Sequence, residues 1–182
     1  MQNNKMKKIL CILLAFIAIF CGCENTKGFL NKRINIEKLE PLKTTFSGEI
    51  TIKIKDEQFK ATIDFNKASS ETLIYTYPES ISGLTITKTQ GESKLTYLGL
   101  SYKAQNNFMP QNFVLEIIDS VIETLSDKTL YKVKLIDSGI LYTSNDKENG
   151  FELLRDAENM NIISINIPNS NILITFDTYE SS

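Results

Sequence analysis

The chain has 182 residues, enough for one domain with a sizeable core, and carries 20 Lys and Arg against 22 Asp and Glu, a net charge of −2. It contains no histidine and three cysteines, so the commonest general base and transition-metal ligand are absent and thiol chemistry has little to work with. The slight acidity argues against nucleic acid as a partner.

The front of the chain reads as an export signal. Lys5, Lys7 and Lys8 precede an apolar run from Ile9 to Phe20, and the first carboxylate is Glu24. The apolar run is too short to span a bilayer comfortably, which takes about 20 apolar residues. The sequence that follows, Phe20-Cys21-Gly22-Cys23, resembles the lipobox of bacterial lipoproteins, with Phe and Cys where Leu and Ala or Ser are usual. That resemblance implies removal of residues 1–22 and attachment of a diacylglyceryl group, with palmitate-type acyl chains, to Cys23. Two such chains hold a protein stably at a membrane, at about 0.8 kcal/mol per buried methylene. The expected location is the extracytoplasmic face of the cell membrane. Cys11 and Cys21 leave with the signal and Cys23 is acylated, so no disulfide or thiolate site remains. Losing three lysines and no acid leaves 17 basic and 22 acidic residues over Cys23–Ser182, a net of −5. Ile, Lys and Asn are frequent and Ala is scarce, the bias of an AT-rich genome, which points to a Gram-positive source.

Residues 23–45 are expected to be the acylated cysteine and a polar tether, and residues 46–182 a single β domain. From Phe46 the pattern has period two. Phe46, Ile50, Ile52 and Ile54 alternate with polar residues, as do Phe59, Ile63 and Phe65, with Asp56-Glu57-Gln58 between them. This is an antiparallel hairpin with one apolar and one wet face. Strands follow near Thr72–Tyr77 and Leu84–Thr89, and a run from Lys94 to Tyr102 switches face at Gly99, where a bulge or bend is expected. Phe113, Val114, Ile117, Ile118, Val121, Ile122 and Leu125 then step as one stripe of an amphipathic helix at about 111–125, opened near Pro110 or Asn112. Strands resume at Leu130–Ile136 and Ile140–Thr143, at Phe151, Leu153 and Arg155, at Ile163, Ile165 and Ile167, and at Ile172, Ile174 and Phe176. The expected fold is mainly β: a curved antiparallel meander, or half-barrel, of about ten strands, with the helix packed on its apolar face.

Catalytic chemistry finds little support. Asn145–Gly150 fails the calcium-loop template because Lys147 sits where a third-position oxygen ligand is needed; a solvated hairpin loop fits better. Asp64, Glu71, Asp137 and Asp156 supply carboxylates, but no spacing singles out a pair for glycoside chemistry. Gly-x-Ser-x-Gly, Ser-x-x-Lys and phosphate-loop motifs are absent. No enzyme activity, cofactor or metal is expected. Phe46, Ile50, Ile52, Ile54, Phe59, Ile63, Phe65, Phe113, Ile117 and Val121 are the expected core face, or the lining of an apolar ligand site. Tyr75, Tyr77, Tyr97, Tyr102 and Tyr131 add aromatic area on or near the strands, for cross-strand packing or for such a cavity.

The meander over Phe46–Tyr102 has paired hairpins, a strand ending Tyr75-Thr76-Tyr77-Pro78, and a hairpin turning at Gly91 before Leu95 and Tyr97. With the helix and the front segment, it resembles the LolA/LolB-like lipoprotein-carrier superfamily. It is also similar to small strand-rich lipoproteins of Gram-positive bacteria. The carrier resemblance implies a curved half-barrel whose apolar interior holds acyl chains, and hence a membrane-tethered, non-enzymatic lipid-binding protein. The alternative reading is an interaction or structural module with a filled core that meets another envelope protein.

Overall fold

The computed structural model describes residues 39, 41–105, 113–148 and 150–181. The signal segment, Cys23, Pro110 and Asn112 lie outside them. The described residues belong to one compact unit.

Among the described residues the fold has twelve strands and one α-helix. They are β1 (Thr45–Ile54), β2 (Glu57–Asn66), β3 (Ser70–Tyr77), β4 (Thr85–Thr89), β5 (Glu92–Tyr97), β6 (Leu100–Gln105), α1 (Val114–Leu125), β7 (Tyr131–Ile136), β8 (Gly139–Ser144), β9 (Glu152–Arg155), β10 (Ile162–Ile167), β11 (Ile172–Phe176) and β12 (Glu180–Ser181). The strand order is β6-β5-β4-β3-β2-β1-β11-β10-β9-β8-β7, with the short β12 also pairing β1. Each pairing is antiparallel. Two meanders therefore meet at the β1–β11 pair. The outer strands β6 and β7 do not pair, so the curved sheet stays open, and α1 is the connection between its two edges.

Register explains which residues face inward. Phe46 lies opposite Phe65, Ile50 opposite Ala61 and Ile52 opposite Phe59; on the other side Ile50, Ile52 and Ile54 face Phe176, Ile174 and Ile172. Directly paired residues share a face, so the alternation in each strand adds up to one apolar surface. Leu73 and Ile86 extend it through β3 and β4, and Ile165, Leu153 and Tyr142 through β10, β9 and β8; all are buried. Phe46 is at its aromatic centre, stacked on Phe65 at 4.9 Å and on Tyr179 at 5.1 Å, with Phe176 edge-on at 5.9 Å. Gly48 makes that cluster reachable. A β-carbon there would lie 2.1 Å from the Thr178 carbonyl oxygen, because the chain after β11 crosses β1 at this point to deliver Tyr179.

Three expectations need correction. The run Lys94–Tyr102 is not one strand with a bulge or bend but a full hairpin, with Tyr97 paired to Leu100 and Leu98-Gly99 as the two-residue turn. The face switch at Gly99 is the chain reversing, which a change of parity alone does not distinguish from a bulge. The helix starts at Val114, and Phe113 is its N-cap without a side-chain cap hydrogen bond. In β10 the buried residues are Ile162 and Ile165 rather than a strict Ile163-Ile165-Ile167 alternation, because the register shifts between Ile162 and Ser164.

Candidate functional site

The site is the contact between α1 and the inner face of the sheet. Val114, Leu115, Ile117, Ile118, Val121 and Ile122 of the helix are all buried. Leu115, fully enclosed, widens the stripe beyond the i, i+3, i+4 positions. Of the ten positions expected to form the face, Phe46, Ile50, Ile52, Ile63, Phe65, Ile117 and Val121 are buried, and Ile54, Phe59 and Phe113 are half-buried. Ile54 and Phe59 lie towards the β1–β2 turn, where Phe59 meets Tyr75 edge-on at 6.2 Å. The convex face opposite is polar, with Glu49 and Lys53 exposed.

The same contact contains charge. Glu71 is opposite Phe65 and Lys88 is opposite Glu71, so both project onto the inner face beside Leu73 and Ile86. Glu116, Asp119 and Glu123 lie three and four residues apart along α1. The Lys88 ammonium donates a hydrogen bond to Asp119, and lies 3.1 Å from Glu116 Oε1 and 3.7 Å from Glu71 Oε2. Lys67, in the β2–β3 turn, reaches Asp119 Oδ1 at 3.5 Å and Glu123 at 3.1 Å. Three of these contacts lack hydrogen-bond geometry, leaving Glu71 Oε2, Glu116 Oε1 and Asp119 Oδ1 buried without a hydrogen-bond partner. Four carboxylates thus face two lysines at this seam.

Burial and that imbalance together set how the cluster titrates. Burial, then the charge of Asp119, pushes Glu71 up to about 7, with Lys88 pulling the other way. Burial by itself would lower Lys88, but the carboxylates of Asp119, Glu116 and Glu71 around it hold it above the usual lysine range. A polar cleft of about 130 Å³ opens beside the cluster, lined in part by Asn66, Ser70, Glu71, Lys88, Gln90 and Asp119. It has room for a few waters rather than an acyl chain, since ligand cavities run to roughly 300–1,000 Å³. Among the described residues no group of three or more Cys, Asp or Glu is arranged to hold a metal ion, and no helix is long and apolar enough to cross a membrane.

Of the four acids considered from sequence, only Glu71 enters this cluster. Lys88, Glu116 and Asp119 were not singled out. The signal was present as parity: Glu71 shares the face of Leu73, and Lys88 that of Ile86. Between β8 and β9, the Glu148 N–H donates to Asp146 Oδ1, and the Asn169 amide donates to the carbonyls of Lys147 and Glu148.

No protein-family model matches the chain, and no curated protein does. Among solved structures, it is similar to an uncharacterised conserved protein from Thermus thermophilus, at 9% identity and a TM-score of 0.51, over 78% of this chain and 80% of that one. That likeness shows a shared fold. Weaker likenesses are to a LolA superfamily protein from Nitrosomonas europaea (9% identity, TM-score 0.40, 78% and 88% of the two chains) and to the Pseudomonas aeruginosa MucA/MucB complex structure (12%, 0.44, 76% and 52%).

Proposed function

We propose that this chain is a membrane-tethered, non-enzymatic extracytoplasmic lipoprotein that takes an apolar ligand, a lipid acyl chain in the first instance, between its sheet and α1. The observation that carries the reading is the character of the α1 contact. Its middle is a continuous apolar surface, and its rim is an ion cluster with more carboxylate than lysine. Buried charges are costly to desolvate, and that cost returns when they reach water. Lifting α1 would rehydrate Glu116 and Asp119 while baring the inner face beside Glu71 and Lys88, where Leu73 and Ile86 lie. An acyl chain laid on that face would replace the apolar contacts that α1 gives up. The helix is then a displaceable cover.

A second reading has its own support. With α1 in place its apolar side chains fill the space above the sheet, and the cleft beside them is polar. A filled domain of this kind would meet an envelope protein through its surface instead.

Residues 24–182, purified and titrated with a fluorescent fatty acid, separate the two. The carrier reading expects saturable binding, competed by unlabelled fatty acid and strengthened by Lys88→Met, which weakens the hold on α1. Absence of binding in both forms supports the second reading. Tethering is tested separately: Cys23→Ser should release the protein from membranes, and unchanged membrane association and electrophoretic mobility would refute acylation at that residue.

A further inference from the structure

The β5–β6 hairpin ends in side chains that the fold does not use. Leu98 is 83% exposed and Leu100 77%, and Tyr102 is 66% exposed. Leu98 also occupies a turn position with φ of 49°, followed by Gly99 at 81°. Those are the φ values of a type I′ turn, where Asn-Gly or Asp-Gly is favoured and a bulky side chain is penalised. Met160, the other apolar non-glycine residue with positive φ among the described residues, is half-buried. Leu98 therefore accepts an unfavourable backbone while most of its side chain faces solvent.

The rest of the hairpin is graded. Tyr97 pairs with Leu100 next to the turn, Leu95 with Tyr102 two rows further, and Lys94 with Lys103 one row beyond. Like charges directly opposite each other destabilise a ladder. Here Glu92 offsets only Lys103, at 2.7 Å. The lysine row lies about 10 Å from the Tyr97–Leu100 row, at about 3.4 Å per residue. Tyr97 is fixed at its far end, its hydroxyl donating to the Ser80 carbonyl at 2.5 Å, which braces the tip.

We infer that the β5–β6 tip inserts into the bilayer interface, with Leu98 and Leu100 among the upper acyl chains, Tyr102 at headgroup depth and Lys94 and Lys103 against anionic headgroups. The order apolar, aromatic, basic along the hairpin follows the order of layers in a membrane surface, and amphipathic elements bury about 5–10 Å in this way. The inference goes beyond the acyl-binding site and does not depend on Cys23: Leu95 and Tyr102 share the face of Ile86 across β5 and β6, but Leu98 and Gly99 form the turn beyond that face.

The chain has no tryptophan, so Leu98→Trp makes a single reporter. The full-length variant, reconstituted in vesicles of phosphatidylcholine and phosphatidylglycerol, should show blue-shifted emission that is lost when the lipids are brominated near the top of their acyl chains. Leu100→Trp should report the same, and adding Leu98→Asn to it should reduce the quenching while leaving the fold at least as stable, because Asn suits the turn. Emission that stays water-like and unquenched at both positions would overturn the inference. So would a blue shift that depends on protein concentration, appears without lipid and ignores bromine, since the tip would then be covered by a second copy.

Discussion

Gly48 and Glu71 show how single positions constrain this fold. Any β-carbon at Gly48 meets the Thr178 carbonyl at 2.1 Å, and the clashing atom is backbone, which cannot swing aside. Gly48→Ala should therefore lose about 1–3 kcal/mol, the usual cost of overpacking, and loosen the Phe46–Tyr179 stack; urea unfolding measures the first and near-ultraviolet dichroism the second. Glu71 sets a pH dependence whose sign follows from its raised pKa. Its folded value is about 7 against 4.5 unfolded, so the folded state holds the proton more tightly. The contribution is fully present below about pH 4.5 and is lost as pH rises through about 7. Between pH 5 and 8 the wild type should lose on the order of 3 kcal/mol relative to Glu71→Gln, which does not titrate. Parallel unfolding midpoints for the two proteins across that range would refute this.

At the scale of elements, α1 and the β5–β6 hairpin differ in how readable they were. The helix was legible because seven apolar residues repeat at helical spacing, and a stripe that wide has to bury. Its start was not, because Phe113 caps without a side-chain hydrogen bond and leaves no Ser, Thr, Asp or Asn signature at Val114. The hairpin was missed because Leu98 stands where turn chemistry prefers Asn, and a turn written with leucine looks like strand. The Lys88 cluster was hidden for a different reason. Parity puts Lys88 and Glu71 on the inner face, but only the β3–β4 register and the placement of α1 bring Asp119 and Glu116 against them. That placement gives a prediction for the element. Lys88→Met leaves Asp119, Glu116 and Glu71 buried without their main cation, and should cost roughly 3–5 kcal/mol, expressed first as loss of α1 protection from hydrogen exchange. Lys67→Met, whose partners Asp119 and Glu123 are reached from a more exposed turn, should cost much less.

For the molecule as a whole, the architecture is an open antiparallel sheet whose two edges are joined by the helix that covers its inner face. Strict alternation in β1, β2 and β11 announced that sheet, since each inward residue is opposite another across the ladder. What alternation could not announce is which strands are neighbours; the β1–β11 pair closes a sequence separation that no local pattern records. The functional account depends on one property of this arrangement, that α1 can leave while the sheet stays intact. Hydrogen exchange on residues 24–182, with and without a saturating fatty acid, tests it most directly. The account predicts that ligand speeds exchange at the amides of Val114–Leu125 while β1, β2 and β11 remain protected. If α1 stays as protected as before, or the whole sheet opens with it, the helix is not a displaceable cover and the account is wrong.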